Sequence, residues 1–98
     1  MYEPGYYQNV DTAEIAHKVQ EEGFDPIRIA DRPGAVYPPH SHPETKLLAF
    51  LHGTMQVLVQ GKTYDCSPGD KLIIPGNLEH SAKVGPEGCV FFWSEKMV

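Results

Sequence analysis

The chain has 98 residues, 13 acidic against 8 basic side chains, and a formal net charge of −5. That length holds one domain, the acidic balance argues against a nucleic-acid partner, and no apolar run reaches the ~20 residues that span a bilayer. With 41% hydrophobic residues, a core is within reach without disulfide staples.

Met1 to Val10 is neither basic nor apolar, so it does not read as a signal peptide, and a cytoplasmic location with reduced thiols is expected. Tyr2, Tyr6 and Tyr7 surround Pro4 and Gly5 there. With no hydrophobic period, the segment reads as an arm that packs on the surface or reaches a partner subunit. Asp11 to Gly23 reads as a short helix. Asp11 and Glu14 match a capping box, Ile15, Ala16 and Val19 form the apolar stripe, and Gly23 stops it. His17 on this helix is expected to be a solvated surface residue.

From Phe24 on, the pattern is strand and turn. Ile27 and Ile29 alternate around Arg28, and Asp31 to Gly34 is a turn. Lys46 to His52 is apolar on both faces, Leu48 and Phe50 against Leu47, Ala49 and Leu51, as in a strand covered on both sides. Gly53 is expected to turn the chain, and Gly61-Lys62 to close a hairpin after Met55, Val57 and Val59. Ser67 to Asp70 and Pro75 to Asn77 read as turns. His80, Ala82 and Val84 then share an apolar face. Gly85 to Gly88 leads to a last strand, where Cys89, Phe91 and Trp93 alternate with Val90, Phe92 and Ser94. Seven or eight short strands with regular Gly/Pro turns indicate an all-β antiparallel sandwich or barrel behind a short N-terminal helix. Cys66 and Cys89 have no metal or redox spacing and read as buried small hydrophobes. Tyr37, Tyr64, Phe50, Phe91, Phe92 and Trp93 read mostly as core, with one or two of them at a pocket mouth.

His40 and His42 lie one residue apart behind Pro38 and Pro39. On an extended strand residues i and i+2 face the same side, so both imidazoles can face one interior. His80 is distant in sequence yet sits on an inward face. Three imidazoles suit a divalent transition metal and leave open positions for water or substrate. His52, beside a glycine at a strand end, reads as a rim residue.

These residues also resemble a known family. Gly34-x5-His40-x-His42-x3-Lys46-x6-Gly53 is similar to the first cupin motif, and Gly69-x5-Pro75-x-Asn77-x2-His80 to the second. The fifteen residues between Gly53 and Gly69 fit a minimal bacterial cupin. The resemblance implies a small double-stranded β-helix, or jelly-roll barrel, over residues 25–98, behind an arm and helix over residues 1–24. It implies a metal inside the barrel on His40, His42 and His80, iron, nickel, zinc, manganese or copper. Three positions depart from the pattern. Lys46 stands where cupins usually place a carboxylate or amide ligand. Asn77 replaces a glycine, a mild change because Asn tolerates positive φ. Val84 replaces a weakly held Asn.

Lys46 has three expected fates: escape to the rim, which is favoured, action as a neutral base or weak ligand, or pairing with Glu44 to hold an anion. Glu44, two residues from His42, is itself a candidate fourth metal ligand. The resemblance implies a small-molecule ligand, an anionic one among the candidates, and a homodimer. Enzyme and non-enzyme readings both stand. One is a metal-dependent oxidoreductase of the dioxygenase kind, or an isomerase, with Lys46 orienting the substrate; the other is a ligand-binding or sensor module without turnover.

Overall fold

The computed structural model describes residues 1–97. In chain order the elements are β1 (Tyr2–Glu3), α1 (Thr12–Glu21), β2 (Ile27–Asp31), β3 (Val36–His40), β4 (Thr45–Val59), β5 (Lys62–Cys66), β6 (Lys71–Ile74) and β7 (His80–Lys96). All described pairings are antiparallel, in the order β1-β6-β4-β7-β2, with β3 also on β7 and β5 also on β4. The fold is the expected all-β jelly roll.

Two long strands organise it. The first half of β4, Thr45 to Phe50, pairs with Lys96 to Phe91 of β7. Its second half, Met55 to Val59, pairs with Val84 to His80. Each strand therefore serves two walls of the barrel. The sequence reading broke both of them, at Gly53 and at Gly85 to Gly88. The structure corrects this: Gly53 has φ +74 but sits at a register shift inside β4 rather than in a turn. A bulge of this kind bends a strand without ending it. Gly88, at φ +79, lies within β7 in the same way. The hairpin loop is also shifted by one residue. Gln60 and Gly61 both take positive φ (46 and 83) between the paired Val59 and Lys62, as a type I′ turn requires.

Alternation along β4 sorts its side chains into two cores. Leu48, Phe50, Met55 and Val57 fill the barrel with Leu72, Ile74 and Phe91. Leu47 and Ala49 face the other way and, with Phe92, pack against Ile15, Val19, Phe24 and Tyr7. The helix thus covers the outer face of the central strands. Asp11 caps it by accepting the Glu14 N–H at 2.9 Å. It ends in a Schellman arrangement, with Gly23 N–H to Gln20 O at 2.9 Å and Phe24 N–H to Val19 O at 3.3 Å. His17 is exposed and pairs with Glu21 one turn on.

The N-terminal arm packs on its own chain, since Tyr2 and Glu3 pair with Leu72 and Lys71. Asp70, almost fully buried, anchors it by accepting from the Tyr2 hydroxyl, Gly5 N–H and Ser67 N–H at 2.8–2.9 Å. Cys66 and Cys89 are free thiols buried in the barrel core. Burial pushes both up to about 12, so they are inert hydrophobes at neutral pH.

Candidate metal centre

The two prolines before His40 hold β3 extended, and β3 ends at His40, directly opposite His80 at the start of β7. His42 follows in the connection to β4. That connection is jammed against the Pro75–Asn77 turn: Asn77 N–H donates to His42 O at 2.6 Å, and Gly76 N–H to Thr45 Oγ1 at 3.2 Å. A Cβ on Gly76 would lie 2.2 Å from Pro43 O, so the approach admits no side chain there. Asn77 takes φ +67, the conformation its place in the turn demands. Two segments far apart in sequence are thereby fixed together, and they carry all three histidines.

The three half-buried imidazoles each offer a ligand atom within 4.8 Å of the others. Ring centroids lie 4.4 Å apart for His40–His80, 4.5 Å for His40–His42 and 5.1 Å for His42–His80. His40 Nδ1 lies 2.6 Å from Pro38 O, and His80 Nδ1 lies 3.0 Å from Leu78 O. A carbonyl can only accept, so each Nδ1 carries the proton and each Nε2 keeps its lone pair, the tautomer a metal ion requires. His42 and His80 are both held below the ordinary histidine value of 6.5, first by burial, with Lys46 and the neighbouring imidazoles adding to it. Both therefore favour the neutral form at pH 7 that a metal ion requires. The donor set suits a divalent metal ion.

That depression has a measurable sign in the metal-free protein. The unfolded chain takes up protons at about 6.5, before the folded one does. Stability is therefore full above pH 6.5 and falls below it, until the folded histidines also protonate. Melting scans from pH 7.5 to 5 should show this decline, and the double variant His42→Asn/His80→Asn should flatten it. An equal decline in the variant would place its origin elsewhere.

The histidines open onto a cavity of about 450 Å³, within the usual range for small-molecule sites. Its walls are mostly apolar, including Ile27, Ile29, Leu48, Phe91 and Trp93. Lys46 is also in the wall, and it does not escape to the rim as the sequence reading favoured: it is only 4% exposed. Nor is its partner Glu44. Its ammonium is paired with Glu95, its direct neighbour across the β4–β7 ladder, and lies 4.5 Å from the Trp93 ring centroid. That counter-charge is why a lysine is tolerated here. Glu44 is half-buried, outside the three-histidine set, and its charge opposes the depression of His42. His52 is exposed and outside the cluster.

Of the aromatic residues expected to be mostly core with one or two at a pocket mouth, Tyr37, Phe91 and Trp93 line the cavity, and Glu95 beside it is the group no expectation covered. Tyr37 donates to Asp31 at 2.5 Å, and burial together with this bond pushes its phenol up to about 12. Glu95 continues the inward alternation of Phe91 and Trp93. That signal could have found it, but its pairing with Lys46 depends on a long-range register.

Residues 24–95 match the AraC-like ligand-binding domain family. Dimethylsulfoniopropionate lyase DddW of Ruegeria pomeroyi is 36% identical over 59 residues, 60% of this chain and 39% of that protein. The aligned stretch thus spans well under half of that relative. The cupin domain of Schizosaccharomyces pombe Cnp3 superposes with a TM-score of 0.70 at 19% identity, covering 76% of this chain and 56% of that one. Bacillus subtilis oxalate decarboxylase, described with Mn(II) centres, superposes with a TM-score of 0.66 at 24% identity, over 81% of this chain and 23% of that one. At these identities the structural likenesses establish the cupin fold.

Proposed function

The chain belongs to the AraC-like ligand-binding domain family, of cupin type, and from that premise we propose that it is a metal-dependent protein acting on a small carboxylate. His40, His42 and His80 hold a divalent transition metal, and the ligand enters the adjoining cavity with its carboxylate towards Lys46. The observation that carries this reading is the three-imidazole cluster, with the Nε2 lone pairs of His40 and His80 free, opening onto a cavity whose wall holds a buried ammonium. When bound, the metal supplies Lewis-acid polarisation of a ligand oxygen. The chain's own residues do the rest. Lys46 orients the negative charge, and the apolar wall excludes water and strengthens that attraction. Tyr37, a phenol held by Asp31, is a hydrogen-bonding group on the same cavity.

For the reaction, the stretch shared with DddW favours a lyase over the oxygenase and isomerase chemistries that the motif resemblance brings in. Fold alone does not choose among them. The second reading, a ligand-binding module without turnover, is favoured by the family's own description. One experiment separates them. Protein loaded in turn with manganese, iron, nickel and zinc is incubated with dimethylsulfoniopropionate, whose consumption is followed by proton NMR. The lyase reading expects consumption that needs metal and is lost in His80→Ala. Metal and ligand binding without consumption would leave the module, and failure to take up any of these metals would sink the metal-dependent reading.

A further inference from the structure

Lys46 and Glu95 are unequal partners. The Lys46 side chain is 5% exposed, whereas that of Glu95 is 36% exposed. A buried ammonium keeps a counter-charge at all times, because an unpaired charge in an apolar wall is strongly unfavourable. Glu95 has no such need, being already partly solvated and able to turn to water. While Glu95 holds Lys46, an entering carboxylate finds that charge satisfied. Once a carboxylate has entered, Glu95 is the member of the trio that can leave. The cross-strand register also fixes it directly opposite Lys46.

We propose that Glu95 is a tethered competitor, a carboxylate of the chain itself that occupies Lys46 until a small carboxylate ligand displaces it. The proposal rests on the reading that Lys46 receives the ligand's negative charge. A tethered group competes at an effective concentration in the millimolar range or above, and the ligand's apparent affinity is reduced by the fraction of time Lys46 is free. Weak or diffuse anions therefore lose to Glu95. A ligand wins when its carboxylate is backed by an organic body that fills the cavity beside Ile27, Leu48 and Trp93. Glu95 thus sets a threshold for occupancy and keeps the buried lysine neutralised between ligands.

Trp93 supplies the readout. It is the only tryptophan in the chain and lies 4.5 Å from the Lys46 ammonium, so its emission reports a change of partner there. The metal-free full chain is titrated with propanoate, and with propanamide as the neutral match, so that no metal can take the carboxylate. Glu95→Gln is expected to bind propanoate about tenfold more tightly than wild type, with propanamide unchanged. Lys46→Met is expected to abolish propanoate binding in both backgrounds. Glu95→Asp keeps the charge on a chain one methylene shorter and is expected to bind with intermediate affinity. It serves in place of Glu95→Gln should that variant lose its fold by circular dichroism. Equal propanoate affinity in wild type and the Glu95 variant overturns the competitor while leaving the anion reading standing. Weaker binding in the variant overturns it too, by making Glu95 a support for the site. Absence of binding in every form removes the anion reading and the proposal with it.

Discussion

His80→Ala is expected to lose metal affinity by more than about 100-fold, the upper end of what is seen when even an outer partner of a ligand is removed. His80 is one of three donors and the one that joins β7 to the end of β3 and the connection after it, which carry the other two, so nothing in the cluster replaces it. Two measurements check this. Elemental mass spectrometry should find near-stoichiometric metal in wild type and little in the variant. Melting supplies an independent reading. A metal present at 100 times its dissociation constant stabilises the folded state by about 2.7 kcal/mol, which for a domain of this size raises the midpoint by roughly 10–20 °C. The variant should show none of that rise, while its metal-free midpoint stays near that of metal-free wild type. An undiminished rise in His80→Ala would mean that the metal sits elsewhere.

Gly53→Val is expected to destabilise the protein by about 4 kcal/mol or more. The position has φ +74, and a Cβ built there falls 2.0 Å from Gly88 O and 2.8 Å from Gly88 C. Those atoms are backbone and cannot swing aside. Gly88 is equally confined on its other side, where a Cβ would lie 2.8 Å from Asp31 O. Three strands, β4, β7 and β2, therefore approach one another through a pair of glycines. A β-branched side chain adds steric bulk to a conformation it already disfavours. Set against the 5–15 kcal/mol of a typical domain, the loss would remove a large part of the total. Urea unfolding with an unchanged slope and a much lower midpoint is the expected result. A wild-type midpoint would show that the strands separate freely at this point.

Much of this architecture was legible in the residues. The apolar character of both faces in Lys46 to His52 points to a strand covered on both sides, and Leu47 and Ala49 do lie under the helix while Leu48 and Phe50 fill the barrel. The close spacing of His40 and His42 and the inward face of His80 point to the cluster, although β3 ends at His40 and His42 reaches the site from the connection that follows. What escaped was whatever depends on strand register. Gly53 looks like a turn because glycine permits both a turn and a bulge, and only the partner strand decides between them. Lys46 looks bound for the rim because its counter-charge lies half the sequence away, and no local pattern announces that Glu95 will stand opposite it.

The long ladder between β4 and β7 also has a temporal consequence. It joins Thr45 to Lys96 at one end and Val59 to His80 at the other, so no rung forms without first closing a large loop. Chains whose contacts are this distant fold slowly, in milliseconds to seconds, because loop closure must precede the contacts that reward it. The histidines share that fate, since His80 meets His40 only when β3 and β7 are in register. A bound metal ion is thus expected to leave the folding rate nearly untouched and to act on the reverse step, holding the barrel shut. In practical terms a metal bound there would be a lifetime control: chelation should shorten the residence time of the native state far more than it delays its formation.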